Sequence, residues 1–144
     1  MYKSILVPID GSTQSHKALT LATNLLDPEQ GMLYILSVQE APLAKDALGR
    51  SAGVPATNAE ALVQESGQAL IKQACQAAKV ESERVKHIVR AGQPATGILA
   101  EANQLGVDAI VMGSRGNSNI KSLVIGSVSH RVLHVATCAV VIVR

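Results

Sequence analysis

Residues 107–128, VDAIVMGSRGNSNIKSLVIGSV, constrain this chain more than any other stretch. Val107 to Met112 is a short apolar run of the kind that forms a strand buried on both faces of a parallel sheet. A glycine-rich loop opens at Gly113, and a helix start follows at Gly126 and Ser127. Two residues separate Gly113 from Gly116, and nine separate Gly116 from Gly126. This layout is a cradle for phosphate. Gly113 is expected to turn the backbone with φ > 0 and to admit an anion with no Cβ in the way, and Gly116 to give the loop the same freedom. Gly126 and Ser127 then open a helix whose unpaired N–H groups and positive dipole end favour an anion. The Ser127 hydroxyl is placed to add a hydrogen bond or to reach magnesium.

Two better-known phosphate motifs do not fit. A Walker A loop ending at Lys121 and Ser122 requires glycine where the chain has Arg115 and Ile120. The dinucleotide pattern G-x-G-x-x-G is absent as well, because residue 115 is arginine.

At 144 residues the chain is expected to form one domain, 1–144, burying about two thirds of its unfolded surface. It has no Trp or Phe and only Tyr2 and Tyr34, so the core must be packed from Val, Ile, Leu and Ala. That leaves almost no aromatic surface for stacking bases, and the 13 Lys and Arg are scattered without a run. Nucleic acid is therefore not expected as a partner. A net charge of +2 gives no strong steering toward membranes or acidic polymers. Cys75 and Cys138 have no metal-type spacing and read as small buried apolar residues in a reducing compartment. With no leader-like N-terminus and no apolar stretch near the roughly 20 residues that span a bilayer, the reading is a soluble, cytoplasmic protein.

Strand and helix signals alternate along the chain. Ser4 to Ile9 reads as a buried strand with Pro8 near its end, followed by a turn at Asp10 and Gly11. Ser12 is the candidate N-cap of a helix whose inner face is Ala18, Leu21, Ala22 and Leu25 and which Asp27, Pro28 and Gly31 terminate. Met32 to Val38 is the second strand. Residues 41–56 have no sustained periodicity and read as one long loop, a lid or partner surface expected to be mobile without ligand. Thr57 and Glu60 match a capping box, opening a helix to about Lys79 with Val63, Gly67, Leu70, Ala74 and Ala77 as its seam.

Val85 to Arg90 is the third strand. Pro94 takes the first position of a helix with Ile98, Leu99 and Ala102 inward, and Gly106 supplies a left-handed cap. After Ser127, Val128, Val132 and Val135 mark the buried side of the last helix, and 139–143 is a closing strand. His130 and His134 lie four apart on that helix, without an evident third metal ligand, and read as part of a polar face. The alternation implies an α/β fold, an open parallel sheet with helices on both faces.

Asp10 has two readings. An aspartate between strand and helix bonds its own turn, and it also sits where open α/β sheets receive ligands. The second is preferred. Arg115 either adds charge to the cradle or is a solvated loop residue, and Ser114, Asn117 and Ser118 do no more than shape the turn.

The G-x2-G-x9-G-S spacing, the opening KSILVPIDGS and the segment from Gly126 onward resemble the universal stress protein family, in its ATP-binding branch. The resemblance covers nearly the whole chain. It implies a Rossmann-like fold of the adenine nucleotide alpha hydrolase-like kind, with five parallel strands in the order 3-2-1-4-5. It implies that Pro8, Ile9 and Asp10 lie against adenosine and Val38 against adenine, where the residues alone read Val38 equally as core. Met112, Gly113, Arg115, Gly116, Gly126, Ser127 and Val128 would then surround the phosphates of ATP with magnesium, and ADP, AMP and cyclic nucleotides are compatible with the same features. The resemblance also implies a homodimer through the last strand, although Ala139 stands where the family often has proline.

The leading functional reading is an ATP-binding regulator of the stress response acting on an unidentified protein. The alternatives are a slow ATPase or phosphotransfer protein, for which no general base stands beside the cradle, and a nucleotide-independent dimeric adaptor.

Overall fold

The computed structural model describes residues 1–40, 44–45, 51–52, 56–116 and 125–144. In chain order the elements are β1 (Ser4–Pro8), α1 (Thr13–Leu25), β2 (Met32–Gln39), β3 (Ala44–Lys45), β4 (Ser51–Ala52), α2 (Ala56–Ala78), β5 (Val85–Ala91), α3 (Pro94–Leu105), β6 (Ala109–Gly113), α4 (Ser127–Val135) and β7 (Ala139–Val143). Five strands form a parallel sheet in the order β5-β2-β1-β6-β7. Counting only its own strands, that is the expected order 3-2-1-4-5, with helices on both faces.

Alternation along the strands decides which helix packs where. In β1, Ile5 and Val7 join Ala18, Leu19 and Ala22 of α1 and Ile71 and Ala74 of α2 on one face. Leu6, one residue out of phase, joins Ile98 and Ala102 of α3 and Val132 of α4 on the other. All three β1 residues are fully buried, as a strand covered on both faces requires. At the amino end of the sheet Asp108 fixes β1 against β6: its Oδ2 accepts the N–H groups of Lys3 and Ser4, each at 2.9 Å. Its own N–H donates to the Ser4 carbonyl at 3.0 Å. With that end pinned, the carboxyl ends of the two strands finish side by side.

The local punctuation follows the sequence at most helix ends. Ser12 caps α1, its Oγ accepting the Ser15 N–H at 3.1 Å. After α1, Asp27 Oδ1 accepts the N–H groups of Gln30 and Glu29, and those two bonds hold its carboxyl below the usual range. Pro94 is at the start of α3, and Gly106 closes it in the left-handed region (φ 61°, ψ 42°).

Other expectations need correction. Thr57 lies inside α2, which begins at Ala56, so it is not the N-cap and the Thr57–Glu60 capping box does not open this helix. Ala77 is exposed; the seam runs through Ile71 and Ala74, because 3.6-residue periodicity carries the buried stripe one position away from Ala77 over that length. Val135 is 56% exposed, since it is the last residue of α4, and Ala136 packs on the core instead. Cys75 and Cys138 are free and half-buried, and desolvation pushes both thiols up. In the 41–56 segment, read as loop throughout, β3 and β4 pair antiparallel. The expected lid mobility falls on residues outside those described.

Candidate functional site

β1 and β6 are neighbours whose chains depart to opposite faces, β1 into α1 and β6 toward α4. A crevice at such a switch point is where open α/β sheets take ligands. A cavity of about 140 Å³ occupies it.

One wall is the turn after β1. Pro8, Ile9 and Asp10 line the cavity, Ile9 buried and Asp10 exposed. Asp10 Oδ1 accepts the Ser12 N–H at 2.9 Å, so the turn-forming role is real and coexists with a place at the mouth. Gly11 follows with φ +84°, a conformation that a side chain would strain. Ser15 completes the wall, its hydroxyl donating to the Ser12 carbonyl at 2.8 Å.

The opposite wall is the loop after β6, with Met112, Gly113, Arg115 and Gly116 on the cavity. Here the expected reason for the glycines is corrected. Among the described glycines φ is positive only at Gly11, Gly92 and Gly106, so neither Gly113 nor Gly116 is left-handed. They are required for space. A Cβ on Gly113 would come within 2.7 Å of Gln14 Cβ and 3.2 Å of the Ser15 nitrogen, so its absence lets β6 approach the first turn of α1. A Cβ on Gly116 would sit 2.5 Å from Asp10 Oδ2, so the loop backbone lies directly against the carboxylate. Ser114, expected only to shape the turn, is buried; its N–H donates to the Val143 carbonyl at 2.7 Å and its carbonyl accepts the Gly126 N–H at 2.6 Å.

That last bond brings the start of α4 to the loop. Gly126 is the N-cap, with extended backbone and no side-chain cap. Val128 and Ser129 line the cavity; Gly126 and Ser127 are next to it in sequence but do not line it, and Ser127 is exposed. The inner hydroxyl is that of Ser129, which donates to the Gly113 carbonyl at 2.7 Å and fastens the helix start to the end of β6. The floor is apolar: Leu36 and Val38 from β2, Pro94 and Ile98 from α3. Val38 also packs on α3, where a Cβ on Gly97 would meet its Cγ2 at 2.9 Å. It is core and lining at once.

Ser12, Ser15, Leu36, Pro94, Ile98 and Ser129 line the cavity without having been singled out for it. Leu36 is two residues before Val38 on the same face of β2, and strand periodicity alone points to it. Ser15 and Ser129 carry no such signal, because their hydroxyls are placed by packing. The arrangement offers an apolar floor, one carboxylate, one guanidinium and a helix start without a side-chain cap. It suits a molecule apolar at one end and anionic at the other.

Among the described residues no group of three or more His, Cys, Asp or Glu is gathered to hold a metal, and no helix is long and apolar enough to cross a membrane.

The model of the universal stress protein family matches residues 1–144. The chain is 38% identical to universal stress protein YxiE of Bacillus subtilis over the full length of both. Among solved structures, the universal stress protein UspA of Lactobacillus plantarum superposes with a TM-score of 0.75 at 25% identity, over 99% of this chain and 98% of that one. Two more share the fold. A universal stress protein in complex with cAMP has a TM-score of 0.67 at 22% identity, covering 99% and 96% of the two chains. One from Archaeoglobus fulgidus in complex with dAMP has 0.63 at 21%, covering 99% and 98%. Sheet order and full-length similarity agree: the chain belongs to the universal stress protein family.

Proposed function

We propose that this chain binds an adenine nucleotide in the switch-point cleft, ATP with magnesium in its working state, and acts as a nucleotide-dependent regulator. The observation that carries the reading is the pairing, across one cavity, of an apolar floor at Val38 and Leu36 with the uncapped start of α4. Ile9, Asp10 and Val38 would hold adenosine. The backbone at Gly113, Gly116 and Gly126, the first-turn N–H groups of α4 and Arg115 would hold phosphates, with the Ser127 hydroxyl at the outer edge toward magnesium. The magnesium ion, when bound, neutralises phosphate charge. That relatives of this fold were crystallised with cAMP and dAMP supports an adenine ligand.

Regulation is preferred to catalysis because Asp10 is the one carboxylate among the described lining residues and its Oδ1 is committed to the Ser12 N–H. Its Oδ2 lies against the Gly116 backbone, and a general base needs a lone pair aimed at the reacting group. β7 ends the sheet, and antiparallel pairing with β7 of a second copy would cover that edge in a two-fold dimer.

Denaturing the purified protein and weighing the released small molecules, followed by equilibrium titration with ATP and magnesium, tests this. One adenine nucleotide per chain, with no phosphate released over hours, is expected. Steady phosphate release would replace the regulator with an ATPase, and absence of any titratable nucleotide would remove the binding site altogether.

A further inference from the structure

The exposed face of α4 carries a second feature, outside the cleft lining. His130 and His134 are both exposed, and their Nε2 atoms lie 3.2 Å apart, with ring centroids at 4.4 Å and planes inclined by 64°. Residues four apart share a helix face, but exposed imidazoles on such a face have many rotamers that keep them separate. Here the two rings converge through the same nitrogen.

We infer that His130 and His134 form a two-point chelate for a first-row divalent transition ion of the zinc, nickel or copper class. Imidazole nitrogens bind zinc at about 2.0–2.1 Å, so two nitrogens 3.2 Å apart subtend about 103° at an ion seated between them. That angle lies between the tetrahedral and the cis-octahedral values. Without metal, one ring donates its Nε2–H to the other. On binding, the donor ring carries its proton on Nδ1 instead, and both Nε2 lone pairs face the ion.

His134 is in the last turn of α4, where the helix dipole presents its negative end, and the exposed Arg131 on the same helix opposes that attraction in part. No third His, Cys, Asp or Glu joins the pair among the described residues, so water or an external ligand completes the coordination. The site is therefore open and exchangeable rather than a closed structural one. The His130 N–H donates to the Gly126 carbonyl at 2.9 Å, so the pair begins one turn from the helix start, but neither histidine lines the cleft and occupancy does not require nucleotide.

Thermal unfolding of the full chain with and without Zn(II) or Ni(II) reads the site through its stabilisation of the folded state. Wild type is expected to melt at higher temperature with either ion, and equilibrium dialysis to give one ion per chain. His130→Gln and His134→Gln are each expected to weaken binding by at least about tenfold, since one imidazole is a poor site for these ions. His87→Gln should behave as wild type. It is the decisive control, because His87 Nε2 lies 3.7 Å from Cys75 Sγ and is the competing ligand pair. If the ion effect persists in both α4 variants, disappears in His87→Gln, or is missing from folded wild type at millimolar metal, the chelate does not exist.

Discussion

Of the three helices that begin at the cleft, α1, α3 and α4, the first and the last begin differently. At α1, Ser12 is buried, its Oγ takes the Ser15 N–H and its carbonyl takes the Ser15 hydroxyl, so the start is closed by its own residues. At α4 the N-cap is Gly126, which has no side chain to perform that service. Every helix start has N–H groups in need of partners. On the proposed function, the α1 start, though Ser12 and Ser15 also line the cavity, is architecture, and the α4 start is where phosphate would bind.

The largest effect is expected where the two starts are brought together. Gly113→Ala places a Cβ 2.7 Å from Gln14 Cβ and 3.1 Å from the Gln14 carbonyl carbon, and neither is the free end of a flexible chain. β6 and α1 must separate, at a cost of about 2 kcal/mol as for other overpacked contacts. Chemical denaturation should show it. A loss of nucleotide binding in this variant then reports a displaced wall, so the variant does not isolate phosphate contact.

Ser12→Ala comes next. Losing the cap leaves the Ser15 N–H without its partner in a buried setting, for about 1 kcal/mol. Because this start belongs to the scaffold, a folded Ser12→Ala protein should retain most of its nucleotide affinity. A large loss of affinity at unchanged stability would reverse the assignment of roles to the two helices.

Ser129→Ala is expected to be milder. The lost hydrogen bond to the Gly113 carbonyl is worth about 1 kcal/mol, and alanine's better helix propensity returns about half of it. The net change should be visible as a small fall in the denaturation midpoint, and amide exchange in the first turn of α4 should quicken, since its tether to β6 is gone. Unchanged exchange there would mean that the Ser114–Gly126 backbone bond alone fixes the helix start.

These contrasts also show what a sequence makes legible. Ser12 was readable because a cap and its N–H are three residues apart, and local chemistry repeats from protein to protein. The parallel sheet with helices on both faces followed from strand–helix alternation, whereas the strand order 3-2-1-4-5 came with the family resemblance. The glycine spacing pointed to residues that do line the cavity, Gly113 and Gly116, but for a partly wrong reason: the need there is close approach to Gln14 and Asp10, and only the fold reveals the neighbour. Ser129 and Asp108 were not readable at all. Their partners, Gly113 and the Lys3–Ser4 backbone, are 16 and about 105 residues away and are met only after the sheet has assembled. Val135 failed for a simpler reason, since periodicity continues past the point where a helix stops.

The smallest expected change in stability comes from closing the open start. Gly126→Ser gives α4 the cap that α1 already has, and serine differs from glycine at an N-cap by only a few tenths of a kcal/mol. The new Cβ would lie 3.3 Å from the Ser114 carbonyl oxygen and 3.5 Å from Arg115 Cα, a tight but tolerable fit that offsets part of the gain. Denaturation should therefore move by less than about 0.5 kcal/mol. Binding is another matter. The serine hydroxyl would accept an N–H from the first turn that the proposal assigns to phosphate, and a charge-assisted bond of that kind is worth about 1.5 kcal/mol, or roughly tenfold in ATP affinity. The loss should be much smaller for adenosine, which lacks the phosphates. A calorimetric titration of both ligands separates the cases: ATP weakened and adenosine spared places phosphate at α4, whereas both unchanged would mean that the uncapped start is not where the anion sits, and the contrast between the two helices would lose its functional meaning.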